Sequence, residues 1–443
     1  MEKIYNRELP SLKPGVIPTD LDLVVEGNAY IKGNFVRCCI GIKDGKIAEI
    51  KKILEGDTHL DFEDDLILPA AIDIHVHFRD PGYTYKEDFA TGTISAAFGG
   101  VSCIFDMPNT KPPATSIPTF KEKLNDVGKK ACIDFGLYAG ISEKTDIVSL
   151  GKICSAFKIY MGSTTGEMHV TDELLEKAVK EIGKTKKVAA VHAEDEKLRK
   201  KNEPENLSEH LFSRPNQCEA SAIKKLIEIN NKNAGKSILH VSHVSARESI
   251  DILKQTKLTK EVTPHHLFLN SGMKLDAFGK VNPPLRTRED QLALWDALNK
   301  GIIDIIASDH APHTIEEKEA EFSKAPSGIP GTETMLPLML SATKQGKISI
   351  QRVVNAIAER PGDVFGLNKG RIEKGKDADF SIVNLKDEVK IKSDKLHSKC
   401  GWSPFDGFPA IFPHTLIVRG EAVVDKSVFV GKNGFGKYIT KYT

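Results

Sequence analysis

The chain is poor in features that would make it a secreted, membrane-bound or nucleic-acid-binding protein. Its seven cysteines are scattered, only Cys38 and Cys39 adjoin, and no C-x-x-C occurs. An odd count without paired spacing argues against a disulfide framework or a thiolate zinc site and points to a reducing compartment. No stretch approaches the ~18 uninterrupted apolar residues of a membrane span. The opening MEKIYNRELPSLKPGVIPTD has no apolar segment of the kind that leads a secreted chain. A cytoplasmic protein with no membrane partner is the expectation. Charge excess is missing as well, since Lys+Arg 62 against Asp+Glu 61 leaves a formal +1. Without a basic surplus to displace counterions, nucleic acid is not an expected partner, and a small-molecule substrate is. Internal repeats and low-complexity segments are also lacking.

What is present is an ordinary globular composition over 443 residues, 40% hydrophobic and 28% charged. Both flanks have a β texture. LDLVVEG and FVRCCIGIKDGKIAEI precede Leu68, with Asp44-Gly45 a candidate hairpin turn, and ADFSIVNL and TLIVRGEAVVDKSVFVGK follow Leu367. Between them, short apolar runs recur at 72–78, 102–108, 132–140, 156–162, 188–194, 237–243, 261–266 and 302–310. Helix-compatible stretches such as DELLEKAVKEIG (172–183) and EASAIKKLIEINN (219–231) fill several intervals. Ser245–Glu248 and Thr287–Asp290 have the spacing of capping boxes. Eight strands alternating with helices predict an α/β fold, a (β/α)8 TIM barrel over residues 69–362. The polar first stretch, 1–20, reads as an N-terminal arm.

The chemistry-bearing residues sit at the carboxyl ends of the expected strands, where barrels of this kind build their sites. His75 and His77 are two apart, so strand alternation turns both imidazoles the same way. Lys158 ends the fourth strand, His192 the fifth, His243 the sixth and Asp309 the eighth. Oxygen and imidazole donors without thiolate suit zinc, with manganese or cobalt as alternatives. Lys158, inside Ala-Phe-Lys-Ile-Tyr, is expected to be buried, which an unpaired ammonium resists. It either pairs with a carboxylate or takes up carbon dioxide to become a carbamate bridging two metals. His240 reads as a packed or supporting histidine. His310 should point away from Asp309, His265-His266 reads as structural, and EEKEAEF (316–322) as a solvated loop.

Taken together, DIHVHFRDPG (73–82), DMPNTKP (106–112), FKIYMG (157–162), VHAED (191–195), HVSHVS (240–245), NPPLR (282–286) and SDHAPH (308–313) resemble the cyclic amidohydrolase branch of the amidohydrolase superfamily, most of all its dihydroorotase family. The resemblance implies two zinc ions and a small β-sandwich domain built jointly from residues 21–68 and 363–443. It puts His75 and His77 on the first metal, His192 and His243 on the second, and carboxylated Lys158 between them. Asp309 becomes both a ligand of the first metal and the catalytic base. Arg79, Asn109, Asn282 and His313, with His77 beside them and the Ser327-Gly328 backbone, take substrate-binding positions. The implied reaction is the reversible cyclisation of N-carbamoyl-L-aspartate to dihydroorotate in pyrimidine synthesis. Hydantoinase, dihydropyrimidinase or allantoinase activity is the rival within the branch, and a non-catalytic assembly relative the rival outside it. A homodimer and an association with aspartate carbamoyltransferase are the protein partners the resemblance raises.

Overall fold

The computed structural model describes residues 20–163 and 168–440. The expected N-terminal arm therefore lies outside the described residues, apart from Asp20. Four strands come first: β1 Leu23–Ile31, β2 Asn34–Lys43, β3 Lys46–Lys51 and β4 Thr58–Pro69. The β2–β3 turn is Asp44-Gly45, as the sequence suggests. Both residues have positive φ, 52° and 73°, the left-handed pair that a two-residue hairpin needs.

Eight strands follow: β5 Ala71–Val76, β6 Val101–Asp106, β7 Asp134–Gly140, β8 Ala156–Tyr160, β9 Val188–His192, β10 Ile238–Val241, β11 Thr259–Val262 and β12 Ile305–Ile306. They pair in parallel and in sequence order, from β5 round to β12. The last and first strands meet through a bridge between Val76 and His310. There the His77 amide donates to the His310 carbonyl at 2.7 Å. The buried Asp73 carboxylate reinforces that seam by accepting from the Ser308 amide at 3.0 Å and the Thr332 hydroxyl at 2.8 Å. The result is a nearly closed (β/α)8 barrel.

Later strands return to the first sheet: β13 Phe380–Val383, β16 Thr415–Val418, β17 Glu421–Asp425 and β18 Val428–Phe429. Between them, β14 Glu388–Lys390 and β15 Pro409–Ile411 form a separate two-stranded ladder. The combined sheet runs β18-β17-β16-β13-β4-β1-β2-β3, mixed in direction and built from both chain ends. Its core joins Val25, Ile40 and Ile67 to Phe380, Ile382 and Ile417. Two charged residues, Lys369 and Asp134, tie it to the barrel floor. The fully buried Lys369 ammonium lies 2.7 Å from both Asp134 and Asp379, the pairing that a buried cation requires.

Helix starts follow local chemistry where no stronger partner intervenes. Helix Asp172–Ile182 buries Leu175, Ala178, Val179 and Ile182 on one stripe under a Thr171 cap. Helix Arg288–Asn299 carries the expected Thr287–Asp290 capping box. The Ser245–Glu248 box does not form. Helix Arg247–Leu253 starts after Ala246 with no side-chain cap. The Ser245 hydroxyl instead donates to the buried Glu219 carboxylate, which also accepts from the Ala246 amide at 3.1 Å. A buried carboxylate outcompetes a surface cap for those donors. The seventh strand is likewise shorter than its apolar run. Pro264 opens helix Pro264–Phe268 under a Thr263 cap, because its ring has no N–H for the ladder but suits a first helical position. No described helix is long and apolar enough to cross a membrane.

Candidate active site

All of the expected site residues except His313 line one pocket at the carboxyl end of the barrel. His75, Lys158 and His192 lie within or at the end of β5, β8 and β9, while His77, His243 and Asp309 follow β5, β10 and β12 by one to three residues. Two of these loop positions and a third beside them hold left-handed backbone: His243 at φ 37°, Asp309 at 46° and Arg79 at 62°. Such conformations cost on the order of 1–3 kcal/mol each and persist where surrounding contacts over-determine them. Gly328 has φ 153°, and a Cβ there would stand 2.4 Å from the Ala311 carbonyl oxygen, so the chain approaches the pocket as bare backbone.

The imidazole nitrogens converge. Asp309 Oδ1 is 3.2 Å from Nε2 of His75 and 3.2 Å from Nε2 of His77. His192 Nδ1 and His243 Nε2 are 2.9 Å apart. His75, His243 and Asp309 form a buried group whose ligand-type atoms all lie within 4.8 Å of one another. Bonds of ~2.0–2.1 Å at tetrahedral angles place neighbouring ligand atoms about 3.3 Å apart, so these separations suit a transition metal.

The outward nitrogens of three rings are fixed as metal-binding histidines usually are. His75 Nδ1 contacts the Glu261 carboxylate, His192 Nε2 lies 2.9 Å from Glu194, and His77 Nδ1 donates to Asn109 Oδ1 at 2.7 Å. Glu261 also accepts from His240 Nε2 at 2.9 Å and the His243 amide at 3.1 Å, which gives His240 its supporting place.

Burial pushes three of the imidazoles towards neutrality, His77 down to about 4, His243 well below its ordinary value and His192 in the same direction. Burial alone would raise the Asp309 carboxyl, but His75 and His77 outweigh it and hold the group well below the usual carboxylate range. Neutral His77, His192 and His243 beside an ionised Asp309 are the protonation states that a metal needs.

Lys158 is 1% exposed, and burial brings its ammonium down to about 8 against the pull of Glu261 and Asp309. Nζ donates to Ser242 Oγ at 3.0 Å and lies 3.5 Å from His75 Nε2. Among the described residues no carboxylate comes within ion-pair distance of it. Tyr160, two residues on and therefore on the same face of β8, also lines the pocket, and its buried hydroxyl has no partner among the described residues.

Arg79 is 4% exposed and lines the pocket, with Nε donating to the Pro312 carbonyl at 3.2 Å. Among the described residues no carboxylate pairs with it. Asn282 Oδ1 meets His210 Nε2 at 3.0 Å. His313 lies outside the pocket wall, fully buried behind Arg79, with Nε2 3.1 Å from the Ser327 carbonyl oxygen. His310 and His266 point elsewhere: His310 Nδ1 accepts from the Gly331 amide, and His266 is held by Thr263 and the Pro283 carbonyl.

Sequence reasoning had no view of Glu261, because it reaches His75 across the barrel from 186 residues away. Glu194 and Tyr160 were within reach, each sitting two residues beyond a singled-out strand residue on the same face.

The amidohydrolase family profile matches residues 66–423. A dihydroorotase of Methanosarcina acetivorans is 39% identical over 426 residues, covering 90% of this chain and 91% of that one. A dihydroorotase of Thermoplasma volcanium is 41% identical over 426 residues, covering 95% and 98% respectively. Among solved structures, an L-hydantoinase (dihydropyrimidinase) of Arthrobacter aurescens superimposes with a TM-score of 0.89 at 30% identity, spanning 95% of this chain and 100% of its own.

Proposed function

Because the chain belongs to the amidohydrolase family, and within it to the dihydroorotases, we infer that its barrel pocket opens and closes a cyclic amide whose exocyclic carboxylate is gripped by Arg79. A dihydroorotase interconverts dihydroorotate and N-carbamoyl-L-aspartate. The observation that carries the substrate assignment is the buried guanidinium in the pocket wall, which no carboxylate pairs among the described residues. Desolvating a cation without a counter-ion costs on the order of several kcal/mol, and a bound carboxylate offsets that cost through a bidentate contact. Hydantoin and dihydrouracil are neutral rings without that group, so Arg79 separates this reading from the hydantoinase activity of the superimposable structures. A non-catalytic relative has no need of the complete set His75, His77, Lys158, His192, His243 and Asp309.

The donor set fits two zinc ions per chain. His75, His77 and Asp309 would hold one, His192 and His243 the other, with Lys158 shared between them. When bound, such ions acidify a water towards pH ~7 and polarise the ring carbonyl. Lys158 would join the set by condensing with carbon dioxide: its neutral amine forms an N–C bond, releases one proton and becomes a carbamate. Burial of the amine, with no carboxylate within ion-pair distance among the described residues, favours that product over an ion pair.

Asp309 moves the proton. Its Oδ1 faces His75 and His77, which leaves Oδ2 to take a proton from the attacking water and pass it to the ring nitrogen as the amide bond breaks. In ring closure the same carboxyl starts protonated and gives its proton back. All seven cysteines are buried and unbridged, in keeping with a reducing, cytoplasmic setting.

The test is Arg79→Met. Truncating one partner of a desolvated charge pair costs ~2–5 kcal/mol, so kcat/KM for dihydroorotate should fall roughly 30-fold to several thousand-fold. Any activity on dihydrouracil should stay nearly unchanged. No loss on dihydroorotate would move the hydantoinase reading to first place.

A further inference from the structure

Behind Arg79 lies a second buried cation that the reaction scheme leaves unused. Lys86 follows β5 in the loop before helix Phe89–Phe98 and is 8% exposed. Its Nζ lies 2.9 Å from His313 Nδ1 and 2.8 Å from Glu317 Oε1. The Glu317 carboxylate works against the burial that would discharge the ammonium. An ammonium carries only donors, and at 2.9 Å it stands nearer to His313 Nδ1 than Glu317 Oε2 does at 3.5 Å, so Nδ1 accepts from Lys86 and the single proton of the neutral ring sits on Nε2. That Nε2–H points at the Ser327 carbonyl oxygen, 3.1 Å away, a suitable acceptor. Burial and Arg79, with Lys86 adding to them, outweigh the Glu317 carboxylate and hold His313 down to about 3, which keeps the ring neutral.

The consequence falls on Arg79. Its NH2 group stands 3.2 Å from the same Nε2, yet a guanidinium is also a donor only. Two donors cannot bond to one another, so His313 leaves that nitrogen in need of an acceptor. In the opposite tautomer Nε2 would be bare and would accept from Arg79, and the guanidinium would be partly satisfied from within the protein.

We propose that Lys86 is a positioning residue for substrate binding: by fixing the His313 tautomer it keeps an Arg79 nitrogen open for the substrate carboxylate. This rests on the carboxylate reading of Arg79. Charge agrees with it, because Lys86 has Glu317 at 2.8 Å, on the partly exposed helix Ile315–Lys318, while among the described residues no carboxylate comes within ion-pair distance of the buried Arg79. One positive charge is left for a ligand.

The experiment compares Lys86→Met, Lys86→Arg and Arg79→Met in the metal-loaded enzyme. KM and kcat are measured for dihydroorotate, Ki for its neutral carboxamide, and melting temperature and metal content for each variant. Lys86→Met should raise KM for dihydroorotate by about tenfold or more, a loss of roughly one hydrogen bond's discrimination. The loss should fall on KM rather than kcat, leave the Ki of the carboxamide in place, and be largely rescued in Lys86→Arg, which restores a donor to Nδ1. An unchanged KM in Lys86→Met alongside a crippled Arg79→Met overturns the tautomer role and spares the carboxylate grip. Equal losses on dihydroorotate and its carboxamide also overturn it, marking Lys86 as a packing residue. A normal KM in Arg79→Met overturns the reading beneath both.

Discussion

His192 Nδ1 lies 2.9 Å from His243 Nε2, and the opposite nitrogen of His192 lies 2.9 Å from Glu194 Oε2. The carboxylate takes the ring's N–H on the outer side, so the lone pair of Nδ1 is turned towards the pocket. Arg214 in turn holds Glu194 at 2.5 Å. Burial alone would raise the Glu194 carboxyl, but Arg214 and His192 outweigh it and keep the group ionised.

Glu194→Gln should therefore weaken metal binding at the His192–His243 side while leaving every direct ligand in place. Loss of an outer partner of this kind typically costs ~10–100-fold in affinity. Competition against a chromophoric chelator measures it, and wild-type affinity in the variant would remove Glu194 from the support of the site.

Lys158→Ala should lose metal and turnover together, with partial rescue of both by a short carboxylic acid that fills the carbamate's place. Metal content measured by elemental analysis separates this from a simple catalytic defect. A variant that keeps its full metal complement and rate would exclude Lys158 from the centre.

Asp309→Asn should fold normally by circular dichroism and lose the proton shuttle. General acid–base catalysis contributes ~10²–10⁴-fold, and loss of a ligand oxygen adds to the defect. The wild-type pH profiles carry a sign of their own. Asp309 is held below the usual carboxylate range, so ring opening, which needs it ionised, should be favoured as pH rises, and ring closure, which needs it protonated, as pH falls. Profiles running in the same direction for both reactions would assign the proton to another group.

The direct contributors to the pocket were legible because strand alternation and position relative to strand ends are local properties. His75 and His77 share a face by spacing alone, and His243 and Asp309 stand at the carboxyl ends of short apolar runs. Their supports were not legible, because they cross the barrel: Glu261 approaches His75 from another strand, and Lys86 reaches His313 between two loops. The same limit explains Ser245, where a local capping pattern lost its hydroxyl to Glu219, a carboxylate from a different helix. Pro264 cut the seventh strand for a reason the sequence did contain, its missing N–H. The joining of β4 and β13 into one sheet could not be read from spacing, since the paired strands lie some three hundred residues apart.

The most direct test is the specificity of the purified protein on dihydroorotate, dihydrouracil, hydantoin and allantoin, before and after metal removal. The account predicts the highest kcat/KM on dihydroorotate, its loss on chelation, and its return when about two zinc ions per chain are restored. Faster turnover of a neutral ring, or full activity on dihydroorotate in protein free of transition metal, would contradict it.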